Sequence, residues 1–537
     1  MDFHDRFLLI NNICLPVLAS QSEAFSVVKG ILKKAGILSF AKEYSVFRRS
    51  IDARHKPDIY YVYSIAVRGD FDKIDEKRLA KFGISINETP TLEIPEAGKE
   101  KLSAPPVIVG SGPAGLFAAL LLAERGYKPV IIERGGSIEE RKACVKAFET
   151  THVLDTDTNI QFGAGGAGTF SDGKLVTRIN DPLTSYVLDR FVEFGAPEEI
   201  KYLAKPHIGT DVLSVVIDKM LERITALGGA VHYHTKYITH KTKNNSVTSV
   251  VTSNGEIPAG ALILAIGHSA RDTYEELIRS SFDIEAKSFS VGMRIEHLAK
   301  DIDLAMYGDG KAAEALPHAE YNLSHNTKVR GTYTFCMCPG GVVVPAASEE
   351  GGVVVNGMSY HSRSGINSNC AVVTSVFRED YGANPLGAIN FQRQIERRAF
   401  CAGGGDYSAP IITVGDFLDG SLKAEPKRIM PTYMSGNSVR LARPEEYLPD
   451  FVCLGIKNAL LDFDRKIKGF AASDAVLSGA ETRTSAPVRI LRDKETRLAT
   501  GYKNLYPAGE GAGYAGGITS AAVDGLKTAL ALIKTFS

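Results

Sequence analysis

The sequence predicts a mixed chain, α/β in its larger part and α+β at its N-terminus. Three observations predict it. A length of 537 residues exceeds what one core usually serves. A buried-strand, glycine-turn and apolar-helix succession opens at Val107 with "VIVGSGPAGLFAALLLAERG". The first hundred residues read as an independent β-α-β-β-α-β series.

That first unit, residues 1–100, carries strand-like "FLLINNICLPV", then "SEAFSVVKGILKKAGI" with helical periodicity from a Ser22 cap. "SVFRRSIDA" and "DIYYVYSIAV" have the β-branched and aromatic content of strands, "DEKRLAKFGI" is a charged helical stretch, and "TLEI" supplies the last strand. This order is the ferredoxin-like one. "PEAGKEKLSAPP" then has the Pro, Gly and Lys content of a domain boundary.

Residues 104–286 are read as the first part of a Rossmann-like domain. Gly110, Ser111, Gly112, Pro113, Ala114 and Gly115 form the turn. Gly110 makes it tight, Gly112 lets backbone approach a pyrophosphate, and Gly115 lets the helix pack closely on the strand. A second strand, "KPVIIE", ends at Glu133, 23 residues after Gly110, where a carboxylate can accept hydrogen bonds from an adenosine ribose. A Thr210 cap opens a further helix, Asn254 and Gly255 read as a hairpin turn, and the buried strand "ALILAIG" closes on Gly267. Residues 287–430 form a β-rich substrate domain, and residues 431–537 return to complete the nucleotide domain with a strand, the loop "GEGAGYAGGI" and a final helix. An insertion of this size before the last strand suits FAD better than NAD.

Composition narrows the function classes. Hydrophobic residues are 44% and charged residues 23%, with Lys+Arg and Asp+Glu balanced at 62 each. No global field draws phosphates, which counts against nucleic acid as the main partner. Seven cysteines without disulfide or zinc spacing point to a reducing, cytoplasmic location and to no metal site. Asn11 and Asn12 interrupt the N-terminal apolar patch, no cationic segment precedes it, and no stretch is apolar enough to span a bilayer.

Seven motifs, "NIQFGAGGAGTFSDGKL", "KPHIGTD", "LAIGHSARDTYE", "SVGMRIEH", "FCMCPGG", "ETRTSAPVRI" and "YPAGEGAGYAGGI", resemble those of the uncharacterised FAD-dependent dehydrogenases, a bacterial flavoprotein family distantly similar to geranylgeranyl reductases. The resemblance runs from about Gly110 to Gly525 and includes the N-terminal "SIDAR" and "DIYYVY". It implies a flavoprotein oxidoreductase and leaves the substrate open. Ala164 departs from it, standing where the family's loop form has an acidic residue.

Read as chemistry, Gly509 and Glu510 follow a strand, with Glu510 placed to bond the ribityl chain. Gly517 and Ile518 open a helix whose free N–H groups and dipole face the flavin pyrimidine. Gly168, Thr169 and Lys174 belong to a glycine-rich loop beside the cofactor, with Lys174 as a charge partner. Arg134 and Arg141 follow the second strand, within reach of the FAD phosphates or adenine, though solvated arginines fit the same pattern. Cys336 and Cys338 fall on one side of a strand as a thiol pair near the flavin, and His297 is an acid-base candidate, with a structural role open to each. Arg483 and Arg489 either border the pocket, favouring an anionic substrate, or form an internal ion-pair network. No second GxGxxG unit appears, so electrons come from transient NAD(P)H, a protein electron donor or the substrate itself, which is a small molecule or lipid-like. The readings weighed against a flavin-dependent hydride transfer are an RNA-modifying flavoenzyme and a redox-sensing scaffold.

Overall fold

The computed structural model describes residues 6–71, 74–89, 92–177 and 179–537. Its N-terminal unit comprises β1 (Arg6–Pro16), α1 (Gln21–Lys34), β2 (Ala41–His55), β3 (Asp58–Gly69), α2 (Glu76–Ala80) and β4 (Ile84–Glu88). The strands pair antiparallel in the order β2-β3-β1-β4. Helix α1 buries Ala24, Val28 and Leu32, spaced four apart on one face, against Leu8, Ile65 and Val67 of the sheet. Two local expectations are corrected here. The helix cap is Ser20, whose N–H donates to Glu23 at 2.9 Å, rather than Ser22. The last strand is "ISINE" rather than "TLEI", because Ile84 and Ile86 serve this core whereas Leu92 and Ile94 pack on the next one; Thr91 lies outside the described residues.

The nucleotide domain contains β5 (Pro106–Val109), α3 (Pro113–Glu124), β6 (Val130–Ile132), α4 (Ile138–Thr151), α5 (Leu183–Glu193) and α6 (Thr210–Ala226). It continues through β7 (Ala230–His232), the antiparallel β8 (Tyr237–Lys243), β9 (Ser246–Thr252) and β10 (Gly255–Pro258), then β11 (Ala261–Leu264) and α7 (Arg271–Arg279). The strand Leu505–Pro507 joins β11, β5, β6 and β7, in that order, as a parallel five-stranded sheet. Helix α3 is apolar on all sides because it is covered on all sides, by this sheet, by α6 and by the C-terminal helix Ile518–Thr535. The two helices touch at Gly525, where a Cβ would lie 2.0 Å from the Ala114 carbonyl oxygen.

Between these segments lies a seven-stranded sheet ordered Ser324–Asn326, Gly331–Cys338, Asn367–Val376, Phe289–Leu298, Val476–Glu481, Ala409–Thr413 and Val439–Leu441. Helix Asp450–Lys466 packs on it, contributing Val452, Ile456, Leu460 and Phe463 to the core of this unit. The expected boundary at residue 431 is therefore displaced. The segment to Glu481 belongs to this sheet, since Val476–Glu481 pairs antiparallel with both Phe289–Leu298 and Ala409–Thr413. Nothing local in "AVLSGAE" distinguishes a strand of one sheet from a strand of the other.

Candidate functional site

The site is built first from backbone. Gly110 has φ +97°, and a Cβ there would sit 2.4 Å from the Ala265 carbonyl oxygen. At Gly115 a Cβ would come within 1.9 Å of the Gly110 carbonyl oxygen. Both positions thus exclude side chains, and the turn delivers Pro113 as the first residue of α3 with no side chain capping its N–H groups. Glu133, 5% exposed, fastens this turn to its surroundings. Its Oε2 accepts from Ser111 N–H (3.0 Å) and Ser111 Oγ (2.8 Å), and its Oε1 from Gly135 N–H (3.1 Å) and Gly163 N–H (3.0 Å).

The loop at residues 163–168 lies directly over that turn, Gly165 N–H donating to the Ser111 carbonyl at 3.1 Å. Gly163, Gly165 and Gly166 all have positive φ. What holds so unusual a loop is Arg141. It is fully buried, and its guanidinium donates to the carbonyls of Asn159, Ile160, Gly163, Ala164 and Gly166. Arg141 is neither solvated nor free for a phosphate: all its donors shape the loop. Ala164, fully buried, leaves the loop without the acidic side chain of the resembling family. Arg134 is likewise engaged, pairing with Asp272 at 2.8 Å and lying 4.2 Å from the centroid of Phe162. Gly168 meets Ile518, to which a Cβ would approach within 3.0 Å, and Thr169 is buried with its carbonyl accepting from Thr210 Oγ1 at 2.7 Å.

Lys174 joins a charged cluster at the edge of this loop. Its Nζ lies 2.8 Å from Asp172 and 3.6 Å from Glu320, while Arg363 spans the same two carboxylates. Burial alone would raise the Asp172 carboxyl; Lys174 and Arg363 outweigh it and hold it at about 2. His207 stacks on His361 and contacts its carbonyl oxygen at 3.1 Å, a packing role beside the cluster.

The C-terminal loop completes the cradle. Gly509, at φ +74°, donates its N–H to Asp524 Oδ2 at 2.7 Å, and Asp524 is itself paired with Arg492 and Arg497. Space is open beside Gly267, Gly516 and Gly517, where an added Cβ would meet nothing within 4 Å. Gly517 caps Ile518–Thr535 without any side-chain hydrogen bond, so the first N–H groups of that helix remain uncapped. Burial and the nearby Cys336 push the Glu510 carboxyl up to about 7, with Lys287 opposing. These features fit a flavin dinucleotide: side-chain-free backbone for the pyrophosphate, uncapped helix N-termini for anionic edges, and a half-buried carboxyl for a hydroxylated chain.

The opposite wall comes from the seven-stranded sheet. A β-bulge separates Phe335 from Cys338, and Cys336 within it has φ +45°. Cys338 is fully buried and Cys336 half-buried. Arg294, fully buried, donates to the Cys336 carbonyl (3.0 Å), to Asn369 Oδ1 (2.8 Å) and to Glu481 Oε2 (2.9 Å). His297 is corrected as a catalytic candidate. An odd offset along strand Phe289–Leu298 turns it to the face opposite Arg294, where its Nε2 meets the Phe470 carbonyl at 2.7 Å and burial lowers its pKa. Arg483 forms the internal network that was one of its two readings: with Arg271 it clasps Glu396, at 3.1 and 2.7 Å. Arg489 pairs with Glu285 at 3.4 Å, half-exposed beside Tyr514. Sequence reasoning missed Asp172, Lys287, Arg294, Glu320 and Arg363. Asp172 and Arg294 lay within quoted motifs and were legible as polar residues in otherwise apolar or glycine-rich strings; Lys287, Glu320 and Arg363 carried no local signal.

Among the described residues no group of three or more His, Cys, Asp or Glu side chains is placed to hold a metal ion, and no helix is long and apolar enough to cross a membrane.

Residues 103–257 match the family described as "FAD binding domain", residues 288–484 "FAD-dependent protein, C-terminal domain-like", and residues 9–68 a domain of unknown function, DUF8436. An uncharacterized protein of Clostridium beijerinckii (strain ATCC 51743 / NCIMB 8052) is 45% identical over 535 residues, 98% of each chain. Among solved structures, glycine oxidase from Bacillus cereus ATCC 14579 aligns at 10% identity over 81% of this chain and 98% of that one, with a TM-score of 0.35. L-amino acid deaminase from Proteus vulgaris aligns at 15% identity over 83% and 96%, with a TM-score of 0.33. Superpositions this loose carry no argument about substrate. FAD is the cofactor of this chain, which is an FAD-dependent oxidoreductase-like protein.

Proposed function

Since this chain belongs to one family with the Clostridium beijerinckii protein and is built on an FAD-binding domain, we propose that it transfers a hydride between the flavin and a polar or anionic small organic molecule. The observation that carries the reading is a glycine loop that sets the half-buried Glu510 next to Gly511, which packs on the Gly267 backbone, and ends on the uncapped helix N-terminus at Gly517.

The residues divide the work. Gly110, Gly112 and the first turn of α3 would hold the pyrophosphate, Glu133 the ribose, and Gly517 with Ile518 the pyrimidine edge. When bound, FAD supplies two-electron redox chemistry. Glu510, neutral below about pH 7, keeps a proton at its carboxyl available to a hydroxyl or to bound substrate, and Lys287 is the cation that stabilises it once ionised. Lys174 and Arg363 present donors beside Asp172 and Glu320, a wall suited to a polar ligand and ill suited to a long polyprenyl chain. This charged lining favours a polar substrate over the lipid that kinship with geranylgeranyl reductases would imply. Transient NAD(P)H is the electron donor in this reading.

Anaerobic titration of the holoprotein with NADPH and then NADH, following the oxidised flavin band, tests it. Rapid bleaching by either identifies a nicotinamide-fed reductase. Bleaching by neither, with reduction by a small amine, alcohol or hydroxy acid instead, keeps hydride transfer and removes the nicotinamide. A protein that neither retains nor regains FAD overturns the proposal.

A further inference from the structure

Cys336 and Cys338 stand out because the fold spends effort on them. The strand Gly331–Cys338 runs in register with Asn367–Val376 as far as Phe335, then bulges so that Cys338 rather than Cys336 resumes the pairing. The bulge puts Cys336 in the left-handed region at φ +45°, a conformation that a non-glycine residue adopts at a cost. The Cys336 carbonyl is fixed by Arg294 at 3.0 Å, and the Cys338 thiol lies 3.5 Å from that same carbonyl oxygen. The Cys338 thiol thus points back along the bulge toward Cys336. A pair serving only as apolar filling needs none of this.

We propose that Cys336 and Cys338 form a redox-active dithiol that is oxidised to an intramolecular disulfide by a small disulfide substrate, with Cys336 as attacking and Cys338 as resolving sulfur. The Cys336 thiolate attacks one sulfur of R–S–S–R′, forming a mixed disulfide and expelling R′S⁻. Cys338 gives its proton to the expelled thiolate and attacks Cys336 Sγ, closing the Cys336–Cys338 bond and releasing RS⁻. The pair loses two electrons, the substrate gains them, and the one proton initially on Cys338 ends on the departing thiol. The division of roles follows from the surroundings. The neighbouring Cys338 thiol lowers the Cys336 thiol against its burial, helped by Arg294 from strand Phe289–Leu298 and Lys174 from the glycine loop, while Glu481 from strand Val476–Glu481 opposes. Cys336 in turn raises the Glu510 carboxyl. Burial and its own partner push Cys338 up, so it remains protonated until the mixed disulfide draws it in. This inference does not rest on the assignment of a hydride acceptor.

The test uses FAD-loaded protein carrying C14S, C144S and C401S, which removes the exposed and half-buried cysteines elsewhere. Reaction with 2,2′-dithiodipyridine is followed by thiopyridone release and by intact mass after alkylation, with the flavin band as the check on folding. Expected are two thiopyridones per chain, a product lighter by two hydrogen masses with Cys336 and Cys338 unalkylated, and a rate that climbs with pH and levels off below the ordinary thiol range. C338S should stop at a stable mixed disulfide on Cys336, and C336S should react slower, on the order of tenfold or more. One thiopyridone with a persistent mixed disulfide in the parent protein, or no reaction at these two positions, overturns the proposal. A flavin bleached by neither NAD(P)H nor a small amine, alcohol or hydroxy acid, with the disulfide still forming, would instead overturn the hydride reading alone.

Discussion

The two walls of the site are made in different ways. The nucleotide wall is backbone: Gly110, Gly115 and the loop at residues 163–168 approach one another closely because side chains are excluded, and the side chains that matter there, Glu133 and Arg141, act by tying loops together. The opposite wall is side chain. Arg294 and Glu481, Arg271 with Glu396 and Arg483, and Asp172 with Arg363 are charges buried in pairs, and the Cys336 carbonyl is held by the first of them. The first construction tolerates no added volume; the second tolerates no unpaired charge. A substitution should therefore reveal which wall it strikes by the way it fails.

The largest effect is expected at the glycine turn. Gly115→Val forces a branched side chain onto the Gly110 carbonyl, already 1.9 Å from a bare Cβ, so the purified protein should lack the flavin band and fail to regain it with added FAD. A yellow Gly115→Val protein would show that this wall yields more than its packing implies. Next comes the buried pair. Arg294→Met leaves the Glu481 carboxyl buried and unpaired, a loss of about 3–5 kcal/mol of stability by denaturant titration, and Arg294→Met with Glu481→Leu should recover most of it. Failure of the double substitution to recover would mean that Arg294 matters through the Cys336 and Asn369 contacts instead.

Arg141 sharpens the contrast, being a charged side chain in the service of the backbone wall. Arg141→Met should cost about 1–3 kcal/mol for the carbonyls left bare and weaken FAD retention, and Arg141→Lys should rescue little, since an ammonium cannot fork to five acceptors. The smallest effect is acid-linked. Asp172 is held at about 2 in the fold against 3.8 for a free carboxyl, so its contribution is fully present above pH 4 and fades as the pH falls toward 2. It amounts to about 2 kcal/mol. Asp172→Asn should flatten that part of the stability profile, and an unchanged acid limb would assign the loss to other carboxylates.

How far the site was legible follows the same division. Glycine announces itself, because close approach and positive φ leave a mark in adjacent residues; Gly110, Gly115 and Gly509 carry that mark. Arg141 was seen but misjudged, since nothing in "ERGGSIEERK" says that its side chain turns inward to the loop some twenty residues ahead. His297 was misjudged for a related reason: strand alternation places it, but only the sheet's neighbours decide which face meets the cavity. The boundary expected at residue 431 failed because strands of both sheets are equally apolar, and pairing partners far along the chain decide between them.

The sequence by itself determined the strand, turn and helix of the nucleotide domain and the glycine opening of the final helix, because each rests on interactions between residues a few positions apart. Only the tertiary structure decided that Arg294, Cys336 and Glu481, or Asp172, Lys174, Glu320 and Arg363, stand together. Charges so far apart in the chain carry no local pattern; they meet because burying any one of them without the others would be prohibitively unfavourable, and that constraint exists only once the chain has folded.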